Sequence, residues 1–153
     1  MLRKKWLLFF IMACMLLVGC NKENKSINID INSVSKSLVE NIEFKDSLEL
    51  LDSEIVKMFY EIPDNTEYVL YMGSGATAEE LAIFKLADEQ KVEEMIKNIK
   101  AHIENQILQF EDYNNEEIKK LENYILKVKD NYVVLCVTDD IENAKSQIDN
   151  YVK

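Results

Sequence analysis

The chain has 153 residues, with 18 Lys and Arg against 28 Asp and Glu and a formal charge of −10 at pH 7. That length holds one hydrophobic core and falls short of two ordinary domains. The acidic balance excludes a nucleic-acid surface and a polybasic membrane patch, both of which need clustered cations.

The first residues read as an export segment. Arg3, Lys4 and Lys5 form a basic start, and Trp6 to Leu17 is an apolar run of signal-peptide length, too short to serve as a mature membrane span. Leu17-Val18-Gly19-Cys20 follows, and the chain turns polar at once with Asn21, Lys22 and Glu23. The four residues resemble the bacterial lipobox, Leu-small-Gly-Cys, in every position. The resemblance implies cleavage before Cys20 and a diacylglyceryl thioether on its thiol, with the lipid as the membrane anchor. Each buried methylene of such a chain contributes about 0.8 kcal/mol. Residues 1–19 are therefore expected to be removed. Losing Arg3, Lys4 and Lys5 takes the formal charge from −10 to about −13. Cys20 and Cys136 then remain; with Cys20 lipidated, no disulfide framework is possible.

Residues 20–33 read as a polar tether, able to lift the domain about 40 Å when extended, and 34–153 as one domain. A first helix is expected over 35–43 on Leu38, Val39 and Ile42, capped by Ser33 or Ser35. Asp46 or Ser47 opens a second, with Leu48, Leu51, Ile55, Met58 and Phe59 on one inward face, and Pro63-Asp64-Asn65 stops it. Glu67 to Met72 is rich in strand formers. A loop over 73–78 separates it from Glu80 to Leu86, whose apolar residues fit strand or helix. Asp88 to Tyr113 is the clearest helix, with Val92, Ile96, Ile99, Ile103, Ile107 and Phe110 in one stripe. A short helix capped by Asn115 runs to about Glu122.

Tyr124–Lys129 and Tyr132–Thr138 flank Asp130-Asn131, two residues that tolerate left-handed backbone, and so form a hairpin. A two-residue turn sets Val128 opposite Val133 and Leu126 opposite Leu135 on an apolar face. Lys129 then faces Tyr132, Lys127 faces Val134 and Ile125 faces Cys136 on a mixed face expected to be partly solvated. Asp139 and Asp140 begin a last helix with Ile141, Ala144, Ile148 and Tyr151 inward. The expected fold is α+β in two layers: a four-stranded antiparallel sheet of two hairpins, helices mainly on one face, in the order α-α-β-β-α-α-β-β-α.

Three stretches carry a family resemblance: Ala78-Glu79-Glu80-Leu81-Ala82-Ile83-Phe84-Lys85, the long helix ending in Phe110 and Tyr113, and Asn131-Tyr132-Val133-Val134-Leu135. Over roughly residues 34–152 the chain resembles the bacterial lipoproteins of the domain of unknown function family 4358. The resemblance implies a strand at Glu80–Leu86 and a surface lipoprotein of a low-GC bacterium, in keeping with a chain rich in Lys, Glu, Asn and Ile. It implies no activity. A Gly often precedes the Asn-Tyr pair in that family, where this chain has Asp130.

No constellation names a reaction. Gly73-Ser74-Gly75-Ala76-Thr77-Ala78 matches G-x-G-x-x-A after a strand, but a dinucleotide site needs a helix next, and Ser74 is not in a G-x-S-x-G elbow. His102, the single histidine, would have to be the base of any Ser-His-Asp triad; it reads as a half-buried or exposed helix residue. No metal cluster is evident around it. Asp139, Asp140 and Glu142, like Glu116 and Glu117, read as helix-start acids without calcium-loop spacing. Cys136 reads as a small strand hydrophobe.

The function expected is a non-enzymatic, cofactor-free lipoprotein on the extracytoplasmic face of the cell membrane, held by lipid (such as palmitate) on Cys20, that binds or supports another envelope component. Tyr71, Tyr132 and Val134 on the less covered sheet face are the expected contact residues, with no nucleic-acid partner. Two other readings are open: an accessory factor for cell-surface polymer modification such as O-acylation, and an envelope hydrolase using Ser74 and His102.

Overall fold

The computed structural model describes residues 28–152. The expected signal segment, Cys20 and the first part of the tether lie outside the described residues. Among the described residues no helix is long and apolar enough to cross a membrane.

The fold is α+β, with five helices and one five-stranded antiparallel sheet among the described residues. In chain order the elements are α1 (Ile31–Asn41), β1 (Glu49–Leu50), α2 (Ser53–Phe59), β2 (Glu67–Met72), β3 (Glu80–Lys85), α3 (Val92–Phe110, entered by a 3-10 turn at Glu89–Lys91), α4 (Asn115–Glu122), β4 (Ile125–Lys129), β5 (Tyr132–Val137) and α5 (Ile141–Tyr151). The strand order across the sheet is β1-β2-β3-β5-β4.

The β4–β5 hairpin has the expected register: Leu126 pairs with Leu135, Val128 with Val133, Lys127 with Val134 and Ile125 with Cys136. Of the two turn residues, only Asp130 takes a positive φ, 51°. Asn131 has a second task. Its side-chain amide donates to the Leu86 carbonyl at 2.6 Å, and its carbonyl accepts the Leu86 N–H at 2.8 Å, locking the turn to the end of β3. The segment at Glu80 is a strand, as the family resemblance implies, and it pairs with both β2 and β5.

Three expectations about the elements and their bounds are corrected. The sheet has a fifth strand: Glu49 and Leu50 pair with Met72 and Tyr71, and Leu51 N–H continues the ladder to the Leu70 carbonyl at 2.9 Å. The second helix therefore starts at Ser53, not at Asp46 or Ser47. The first helix starts inside the stretch read as tether, because Asp30 caps it, accepting the Asn32 and Ser33 N–H groups at 3.1 and 3.4 Å.

The largest correction concerns layers. Helices cover both sheet faces. Leu70, Ala82, Phe84, Val133, Leu135 and Val137 pack under α2, α3 and α4. Val69, Leu81, Ile83, Tyr132, Val134 and Cys136 alternate with them and pack under α1 and α5, through Ile31, Val34, Leu38, Ile42, Ala144, Ile148 and Val152. The central strands β3 and β5 are buried almost throughout, as strands covered on both faces are. The mixed face is closed because α1 and α5 each carry an apolar stripe that needs a surface. Tyr132, Val134 and Cys136 are consequently 1%, 0% and 0% exposed, and they form no open contact face. Tyr71 is half-buried and packs against the same cluster.

Candidate functional site

The short helix α2 is oriented against expectation. Val56, with the following Tyr60, points into the core, while Ile55, Met58 and Phe59, three residues of the expected inward stripe, are 40%, 82% and 41% exposed. β1 causes this. It ties Glu49 and Leu50 to the sheet edge, so α2 begins late and rolls Val56 inward. Ile55 and Phe59 then line a groove of about 360 Å³ with Leu51, Met72, Phe110 and Tyr113, closed at one side by the loop between β2 and β3.

That loop is held rigidly by Asp46. The Asp46 carboxylate accepts the Ser74 N–H at 2.8 Å, the Ser74 hydroxyl at 2.7 Å and the Thr77 hydroxyl at 3.3 Å. These bonds, the Ser74 hydroxyl first, hold the Asp46 carboxyl below its ordinary range. Gly75 sits at φ +87°, where only glycine is unstrained, and a Cβ on Gly73 would lie 2.8 Å from Asp46 Oδ2. The glycines thus serve a tight turn and a close approach. A phosphate has no place there: the next element is a strand, and the carboxylate of Asp46 already occupies the donors an anion would need.

Two buried polar groups sit at the start of β3. Glu80, 0% exposed, receives the Tyr60 hydroxyl at 3.1 Å and stands 3.1 Å from His102 Nε2 through each of its carboxylate oxygens. The His102 ring lies 4.3 Å from the Tyr60 ring, and Phe59 meets it edge-on. Burial first, and the neighbouring Glu80 second, push the Tyr60 phenol well above its usual range. Glu79, also fully buried, accepts the Asp46 N–H at 2.8 Å and Lys120 Nζ at 3.1 Å. Lys120 also reaches Glu117 at 3.0 Å, and Glu117 accepts the Ala78 N–H at 2.8 Å.

His102 is therefore no half-exposed helix residue. It belongs to the buried face of α3 with Met95 and Ile99, a spacing of four and three that the sequence displayed but that the isoleucine stripe obscured. Glu117 likewise is more than a helix-start acid. Asp140 precedes α5 and accepts the Glu43 N–H at 3.2 Å and the Asn143 amide at 2.7 Å, and Asp139 pairs with Lys45 at 2.6 Å.

The structure does not bring Ser74 and His102 together as a nucleophile and base. The Ser74 hydroxyl is spent on Asp46 and His102 Nε2 faces Glu80. Cys136 is sealed, its thiol pushed far above its usual range by burial first and by the Glu80, Glu79 and Asp140 carboxylates next. Among the described residues no group of three or more His, Cys, Asp or Glu is placed to hold a metal ion.

No curated protein and no solved structure matches this chain. A family model does, over residues 40–138, well over half of the chain, which runs from the end of α1 through β5. The chain thus belongs to the family described as Domain of unknown function (DUF4358).

Proposed function

We propose that this protein is a lipoprotein of the extracytoplasmic face of the cell membrane, lipidated on Cys20, whose α+β domain binds or supports another envelope component without a catalytic step of its own. The observation that carries the reading is Leu17-Val18-Gly19-Cys20 at the end of a basic-then-apolar leader, followed at once by polar residues. Cysteine is needed there because the lipid is joined through sulfur. Binding rather than chemistry is supported by the exposed Ile55, Met58 and Phe59 face of α2, by the engagement of Ser74 with Asp46, and by the burial of His102.

The test is metabolic labelling of cells with an alkyne fatty acid, followed by purification of the full chain. Label on the wild-type protein, lost in Cys20→Ala, is the expected result, together with digestion of the domain by protease added outside the cytoplasmic membrane. Unlabelled wild-type protein, or a protease-protected domain, would refute the reading. An accessory role in polymer modification such as O-acylation follows if the captured envelope component is itself an acyltransferase.

A further inference from the structure

We propose that the groove between α2, α3 and the β2–β3 loop seats a short amphipathic segment of a partner protein, apolar on one side and rich in Lys or Arg on the other. The inference rests on the binding reading above and names the surface and the chemistry of what it binds.

Four observations carry it. First, Ile55, Met58 and Phe59 stand at helical i, i+3, i+4 spacing and face outward, joined by Tyr113 at 71% exposure. Apolar residues at that spacing on a helix normally meet a surface, and among the described residues Ile55, Met58 and Phe59 all remain exposed. Second, the groove has room, about 360 Å³, and its floor of Leu51, Met72 and Phe110 is apolar. Third, its loop wall is preformed. Asp46 holds Ser74 and Thr77, and the Gly73 N–H donates to the Glu79 carbonyl at 3.0 Å. Binding then pays little entropy to order that wall.

Fourth, the charged residues next in sequence to the lining residues Leu51, Ile55, Phe110 and Tyr113 are acidic. Asp52 and Glu54 are exposed on either side of Ser53 at the start of α2, and Glu111 and Asp112 lie exposed between the lining residues Phe110 and Tyr113; Lys57 is the cation among these neighbours. A cationic segment is complementary to that rim. A second copy of this chain, itself strongly acidic, would bring like charges together. An anionic membrane surface would be repelled for the same reason.

The experiment is photocrosslinking in live cells with the full-length chain. A photoreactive residue is placed at Met58 or Tyr113 and, for comparison, at Leu108 and Val128, and the crosslinked peptides are sequenced by mass spectrometry. The expected capture, from Met58 and Tyr113 and not from the other two positions, is one segment of another protein with alternating apolar and Lys or Arg residues. Reversing the rim with Glu54→Lys and Asp112→Lys should cut its yield about tenfold, since both changes put like charge against the cationic segment. Capture of a second copy, of lipid, or of a segment without excess Lys or Arg would overturn the proposal. Capture only from Leu108 or Val128 would overturn it and leave the binding reading intact, whereas no capture from any of the four positions would remove both. All four positions are exposed, so loss of folding does not confuse the result.

Discussion

The two helical layers of this domain do opposite work. The α1/α5 layer meets the sheet mainly through aliphatic side chains, and the fully buried ionisable groups on that face are the Cys136 thiol and the Tyr132 phenol, whose hydroxyl accepts the Ile29 N–H at 3.3 Å; Lys127, less buried, pairs with Asp149 of α5 at 2.6 Å. The α2/α3/α4 layer buries Glu80, His102 and Tyr60 in one group and Glu79, Lys120 and Glu117 in another. It also leaves Ile55, Met58 and Phe59 outside. Aliphatic burial stabilises a domain directly, whereas a buried ion pair roughly breaks even against an apolar replacement. The contrast teaches that the second layer spends its polar groups on position. His102–Glu80 places α3, Lys120–Glu79 places α4, and Asp46 with Glu117 places the β2–β3 loop. α3 and that loop are walls of the groove.

The sharpest way to break the comparison is a charge in the aliphatic layer. Val134→Asp would put a carboxylate under α1 and α5 at a fully buried position, where the cross-strand Lys127 is already paired with Asp149, and the expected result is loss of the folded domain, read as absent cooperative unfolding by circular dichroism. A folded Val134→Asp domain would mean that α1 and α5 open readily. Next in size is Lys120→Ala, which leaves Glu79 and Glu117 facing each other without their cation. A loss of about 3–5 kcal/mol is expected from urea denaturation. A loss below about 1 kcal/mol would show that the carboxylates find water, and that the group does not hold α4.

The smallest effect concerns the loop. Asp46 is half-buried and its folded-state carboxyl lies below the ordinary 3.8. Its contribution is therefore fully present above pH 3.8 and is lost as pH falls through the lower folded-state value. The urea midpoint of wild type should exceed that of Asp46→Asn at pH 7, and the gap should close below pH 3.8. A gap that persists into strong acid would mean that loop geometry, and not the charged hydrogen bonds, sets the difference.

Much of the fold was legible where the cause is local. The β4–β5 register followed from a two-residue turn and a period of two, and α3 followed from isoleucines spaced by three and four. Other features had no local signature. Leu48 to Phe59 carries a helical pattern from end to end, yet its first part pairs with Tyr71 and Met72 as β1, because β2 offers an edge some twenty residues away. The Glu80–His102 pair spans 22 residues and the Glu79–Lys120 pair 41. Neither spacing distinguishes a partner from a bystander in a chain this acidic.

By itself the sequence determined the elements that local periodicity and turn chemistry dictate: three of the four helix stripes, the hairpin and its register, and an exposed, strongly acidic surface. Only the tertiary structure decided which apolar faces are covered. The mixed face of β5 is buried because α1, about a hundred residues earlier, and α5, just after it, bring Leu38 and Ile148 onto it. The face of α2 is uncovered because β1 rolls Val56 inward instead. Coverage is a property of the whole packing, since burying an apolar side chain needs a second surface whose position no local pattern encodes.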